Sequence, residues 1–339
     1  MNGTRTRLLV PIVVAALVIV GAVAPLFLTA FWLSLVTQVL IFAVFASSIN
    51  LIAGYGGMVT LGQAGIFASS GYGVAIVATR FQLGWPLQVL IGLAVAVVFS
   101  AIFGAMAVRT TGVYFLMVTL AQGMVIWGLA YSLSTYTGGD SGIPNVARPA
   151  FVAADPAFYE LSLAVVVVIL LGMTIFVRSP FGLGLRAIQA NEGRARSLGY
   201  HTAWQRFVAF VMAGALAGVG GILYVYQSQF ISPSAAFFKT SADGTAMSLI
   251  GGLGTIAGPL VGAAIVIVIR NEVSSYVSFW PTIEGVIFIL VVLYARQGIV
   301  GLVQQRLRIR RIRRDAAQRV DERIDEEALD PLAQKDSSL

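Results

Sequence analysis

Several windows of this chain run for about 20 residues without an ionised side chain, long enough to cross a hydrocarbon core roughly 30 Å thick as α-helix. Only 11% of the 339 residues are charged and 58% are hydrophobic, where soluble domains carry roughly 25% charged residues. The chain therefore reads as an all-α polytopic membrane protein. About ten transmembrane segments are expected: 8–29, 31–53, 63–79, 87–108, 113–133, 159–177, 207–226, 242–253, 259–271 and 282–295. The first follows Arg5 and Arg7 and outlasts a signal peptide's apolar region of about 7–15 residues, so 1–30 is expected as a retained helix. No cysteine is present, which excludes disulfides, thiolate metal sites and cysteine nucleophiles together.

The net charge of +7 is unevenly placed. With both termini cytoplasmic, 18 of the 22 basic residues fall in cytoplasmic pieces, and only Arg80, Arg148, Lys239 and Arg270 do not. Short loops rich in Lys and Arg stay cytoplasmic, so the basic balance reports topology and not nucleic-acid binding. The 301–339 tail is basic and then acidic. Its RLRIRRIRR run is suited to anionic lipid head groups.

Two stretches interrupt the apolar runs with glycine. NLIAGYGGMVTLGQAG at 50–65 and SLIGGLGTIAGPLVG at 248–262 share Leu-Ile-x-Gly-x-Gly, at 51–56 and 249–254. Paired breaks of this kind are where membrane helices turn back or line a route; close glycine-mediated packing accounts for them equally well. The route candidates are Asn50, Gly54, Gly56, Gly57, Thr60, Gln63, Thr119, Gln122, Gly251, Gly252 and Gly254, with Ser69 as a further polar position. For the polar members the competing role is hydrogen bonding between helices. The longest external loop, 134–158, carries GGDSGIP. Its Gly138, Gly139, Asp140 and Gly142 are turn chemistry, with Asp140 able to close an Asx-turn. That loop is either a tight lid or a surface for an external partner.

One polar segment lies between two apolar runs: RSPFGLGLRAIQANEGRARSLGYHTAWQR, 178–206, with five arginines and the chain's one histidine. Ser179-Pro180 and Gly182–Gly184 read as a lead-in turn, Leu185–Leu198 as a helix, and Gly199 as the left-handed residue that stops it. Leu185, Ile188, Ala195 and Leu198 share a face with Glu192 in its middle, flanked by Arg194 and Arg196. Such a helix could lie at the lipid interface. The central carboxylate argues instead for docking on a protein partner able to supply an arginine.

Other classes fit poorly. The chain has no G-x-x-x-x-G-K-[ST] phosphate loop, so it is no ATPase. Intramembrane carboxylates are the usual proton relays, and the acids read as lying near spans are Glu160, Glu272 and Glu284, all close to span ends. A single histidine, His201 in the loop, leaves no Ser–His pair at membrane depth and no metal site. Neither an enzyme nor a resident cofactor or metal is expected.

The 178–206 segment closely resembles the cytoplasmic loop of branched-chain amino acid ABC importer permeases, SPFG..LRAI..NE.RA..LGY, matched here from Ser179 to Tyr200. Also similar are 50–72, GVYFLMVTLA at 112–121, TGGDSGIP at 137–144 and 248–263, so the resemblance covers roughly 35–300. It implies a permease domain over 31–300 that pairs with a second homologous permease in a bacterial inner membrane. Two cytoplasmic ATP-binding subunits would drive it and an extracytoplasmic binding protein would deliver substrate. Residues Arg186, Ile188, Asn191, Glu192, Arg194, Ala195, Leu198 and Gly199 would couple to an ATPase. Gly193 departs from the family's pattern and softens the helix. Substrates of the resembling permeases include branched-chain and other apolar amino acids, urea and short amides. A urea or amide importer is thus an alternative, and a secondary carrier a more distant one.

Overall fold

A computed structural model of the chain describes residues 29–276, together with Gly21, Pro25, Thr282, Gly285, Val286 and residues 298–301. The expected segments 8–29 and 282–295, and the tail, lie outside the described residues but for those positions. A helix occupies each of the other eight expected segments. Helix α1 is Ala30–Asn50 and continues as a π-turn, Leu51–Tyr55; α2 is Gln63–Arg80, α3 Trp85–Ala107, α4 Val113–Ser132 and α5 Asp155–Arg178. Two short helices follow, α6 Pro180–Ala190 and α7 Glu192–Ser197, then α8 Thr202–Ser228, α9 Phe238–Gly251 and α10 Gly258–Tyr276. Five described helices are long and apolar enough to cross a membrane: Ala30–Tyr55, α3, α4, α5 and α8. At 1.5 Å per residue α9 reaches only about 21 Å, short of a bilayer core, so it does not cross as a straight span.

Helix α1 is the axis of the bundle. It is apolar on every face, and from Val39 to Asn50 every residue is buried, as expected of a helix enclosed by others. Helices α5, α8, α9 and α10 surround it, while α2 packs against α3, α4 and α8. Phe42, Phe45, Phe67 and Tyr224 interlock at the centre, with ring centroids 4.8–6.4 Å apart. Leu33, Leu40 and Val44 pack on Tyr159 and Val166 of α5. Helices α3, α4 and α5 instead leave large apolar residues exposed, among them Val98, Met117 and Ile175, the composition of a lipid-facing surface.

The two ends of the bundle are built differently. At one end Arg148 donates to the carbonyls of Tyr226 (2.8 Å) and Gln227 (3.2 Å), pairs with Asp155 (2.6 Å), and lies 4.7 Å above the Phe158 ring. There Ile143–Pro144 (β1) pairs antiparallel with Phe230–Ile231 (β2), and Arg80 donates to the Thr135 carbonyl. Loop 134–158 is therefore a tied-down cap. Gly142 has φ +68°, and a side chain there would strike the Ile231 carbonyl, so only glycine fits. Gly138 and Gly139 also take positive φ. The expected Asx-turn does not form: a backbone bond from Gly142 N–H to the Gly139 carbonyl closes the turn (3.2 Å), and exposed Asp140 makes no side-chain hydrogen bond among the described residues.

Candidate functional site

The other end of the bundle gathers residues 54–62, 108–112, 178–206 and 251–258. Its construction begins where α5 stops. Ser179 precedes a proline and is extended (ψ 160°), because the proline ring disfavours helical geometry before it. Its hydroxyl then accepts from the Gly182 N–H (3.2 Å) and caps the next helix, with Pro180 in the first turn. Helix α6 thus begins at Pro180, and the expected lead-in turn at Gly182–Gly184 is already helical.

The expected continuous helix Leu185–Leu198 is two helices. Asn191 is extended (φ −163°, ψ 105°), and its side-chain oxygen accepts from the Arg194 N–H (2.9 Å), making it the N-cap of α7. Asparagine is among the best capping residues, and a local side-chain bond here competes with the helix. Gly199 takes φ +86°, and Tyr200 N–H reaches back to the Ala195 carbonyl (3.2 Å), ending α7 as the sequence suggests.

The apolar face is also redirected. Leu185, Ile188 and Ala195 are buried against the bundle, whereas Leu198 is 71% exposed. Glu192 needs no arginine from outside. Its carboxylate pairs with Arg206 at the start of α8 (2.8 Å) and with Arg196 (3.0 Å), and accepts from the Thr202 hydroxyl (3.3 Å). The Arg206 pair matters most, since that side chain is 12% exposed while Arg196 is 71% exposed and exposed i, i+4 pairs contribute about 0.3–0.5 kcal/mol. Outward from the bundle point Leu183, Asn191, Arg194, Arg196 and Leu198, a basic surface with apolar patches.

The two glycine-rich breaks meet. Asn50, fully buried, donates from its side-chain nitrogen to the Thr255 carbonyl (2.8 Å) and accepts the Gly254 N–H on its oxygen (2.8 Å). A side chain on Gly54 would collide with the Gly254 nitrogen, so the backbones touch there because neither residue carries one. Gly251 packs equally closely on Gly258, and Gly252 turns the chain out of α9 with φ +120°. Gly56 faces Met58 and Leu185, and Gly57 (φ +68°) faces the Gln189 stem.

The polar route candidates are buried in hydrogen-bonding positions. The Thr60 hydroxyl accepts from Gly62 N–H, and Thr119 accepts from Leu61 N–H and donates to the Leu116 carbonyl. Gln122 donates to the Phe103 carbonyl on α3, and Ser69 to the Ile66 carbonyl in its own helix. Gln63 differs: its side chain is fully buried, and neither end of its amide has a partner among the described residues. Beside these breaks, Gly57, Met58, Thr110, Thr111, Gly112 and Arg206 border a cavity of about 310 Å³.

Four features escape the sequence reading. Gln189 donates its side-chain N–H to the Gly54 carbonyl (3.0 Å), Arg186 lies 4.9 Å above the Tyr55 ring, and Arg206 holds Glu192. Asp243 is the fourth; it lies inside an expected segment and binds Arg270 (2.6 Å) and Lys239 (3.6 Å). The basic partner at i−4 is legible in the sequence for Asp243. Nothing local reveals the other three, whose partners lie on other elements of the fold.

The family described as branched-chain amino acid transport system, permease component, matches residues 31–295. The high-affinity branched-chain amino acid transport system permease protein LivM of Salmonella typhimurium is 24% identical over 323 residues, covering 87% of this chain and 76% of that protein. The LivH permease of the same kind of system in Escherichia coli K12 is 26% identical over 77% of this chain and 91% of its own length. An autoinducer 2 import system permease, LsrC of Klebsiella pneumoniae, is 32% identical over 38% of this chain and 39% of its own. No solved structure matches the chain.

Proposed function

The chain belongs to the branched-chain amino acid transport permease family, and on that premise we propose that it is one permease subunit of an ATP-driven importer for branched-chain or other small amino acids. It forms half of the translocation pore beside a second, homologous permease in a bacterial inner membrane. Two cytoplasmic ATP-binding subunits supply the energy, and an extracytoplasmic binding protein delivers the substrate at the capped end.

The observation that carries this reading is the contact between α6 and the glycine break. The loop is not a passive linker: its inner face is packed into residues 54–57, and its outer face presents Arg194, Arg196 and Leu198 to the aqueous side. A surface of that chemistry suits a cleft with acidic and apolar groups, which would receive α6 and α7 together as a bent unit. Force applied there reaches the place where α1 and α9 are broken. Asn50, Gly54, Gly56, Gly57, Thr60, Gln63, Thr119, Gln122, Gly251, Gly252 and Gly254 are the residues we assign to the route and its packing. The unpartnered Gln63 amide is the strongest candidate to meet a polar substrate, since buried polar groups ordinarily have partners.

Reconstitution of the chain with the second permease, the ATPase pair and the binding protein tests this. Uptake of radiolabelled leucine is expected to require ATP and to cease when the ATPase phosphate loop is disabled. Uptake that persists without ATP binding would overturn it.

A further inference from the structure

Helix α6 does not merely rest on the bundle. Three of its side chains, Leu185, Arg186 and Gln189, grip one short piece of α1. Leu185 lies against Gly56, Arg186 covers the Tyr55 ring at 4.9 Å, and Gln189 packs its stem on Gly57 while donating to the Gly54 carbonyl at 3.0 Å. That piece is the π-turn Leu51–Tyr55 and the residues just after it. Carbonyls at a helix end have no partner within the helix, and Gln189 supplies one from another element.

The opposite side of the same turn is held too. Asn50, immediately before it, clamps Gly254 and Thr255 in the break between α9 and α10 through two bonds of 2.8 Å. The π-turn is thus gripped by the loop on one side and by the second break on the other. A π-turn contains one residue more than the α-helix needs, and such turns occur mostly at functional sites. Moving that extra residue along the helix rotates the residues it passes by about 100°. Neighbouring glycines at 54, 56 and 57 leave no side chains to obstruct the change.

We propose that Gln189 is a positioning residue for transport: its hydrogen bond to the Gly54 carbonyl sets the register of the π-turn, so that displacement of α6 re-registers Leu51–Tyr55 and, through Asn50, the 252–257 break. This deepens the importer reading and rests on it. Gln189 touches neither substrate nor ATP in this assignment. It acts through backbone.

The test uses the assembled complex, with uptake and ATP hydrolysis measured on the same vesicles. Gln189→Met keeps the stem against Gly57 and removes the donor; Gln189→Lys restores a donor. With Gln189→Met, assembly and binding-protein-stimulated hydrolysis are expected to persist while uptake per ATP falls by roughly 2- to 30-fold. Amide exchange over 51–58 should quicken, and Gln189→Lys should recover most of the ratio. Three results overturn the assignment: an unchanged ratio in Gln189→Met, equal loss in both variants, or failure of Gln189→Met to assemble. A wild-type complex without ATP-dependent uptake would instead overturn the importer reading, and this one with it.

Discussion

Glu192 illustrates how one side chain can be read two ways. From spacing it sits in an apolar face and calls for a partner; in the fold its partner is Arg206, fourteen residues on and in the next helix. Removing the carboxylate would leave a largely buried guanidinium whose Nε already lacks a partner among the described residues. Hydrogen bonds to charged groups contribute about 1.5–3 kcal/mol. Glu192→Gln is therefore expected to loosen α7 from α8, seen as faster amide exchange over 192–200 with α6 unchanged. Glu192→Lys should insert normally yet lose uptake, because two arginines then face a lysine. Normal ATP-dependent uptake by that variant would refute a role for α7 in coupling. Asn50→Leu should cost about 2–4 kcal/mol by leaving the Gly254 N–H and Thr255 carbonyl buried without partners, read as a lower Tm in detergent.

Among the elements, the loop helices and the cap show opposite sensitivities to added methyl groups. A Cβ at Gly193 would meet only the Asn191 side-chain oxygen at 3.5 Å, so Gly193→Ala fits. It should stabilise α7 by up to about 1 kcal/mol, measured as slower exchange there. Gly142→Ala has no such room and the wrong φ; it should unseat the β1–β2 ribbon and expose loop 134–154 to protease. Cleavage at the wild-type rate would show that the ribbon is dispensable to the cap.

For the whole molecule, the arrangement separates an end rich in loop arginines from a capped end. The chain has no cysteine, so single cysteines report sidedness without background. Leu198→Cys should react with an impermeant maleimide only from the cytoplasmic face, and Tyr136→Cys, 58% exposed in wild type as tyrosine, only from the opposite face. Labelling of Leu198→Cys from outside would invert the topology and remove the loop from any cytoplasmic ATPase.

Membrane class, the eight described helical segments and the helix stop at Gly199 were legible from residue order alone. Each depends on hydrophobic length or on a bond spanning five residues or fewer, and such quantities are local. The split of the loop at Asn191 was local too, yet capping had to compete with a helical pattern running through it. What residue order could not supply is which distant groups meet. Asn50 bonds to Gly254 and Thr255, some two hundred residues away, and Gln189 to Gly54. Those pairings arise only when the end of α1 is enclosed by α6 and by the break between α9 and α10, because packing, and not sequence spacing, brings a side-chain amide within about 3 Å of a distant backbone group.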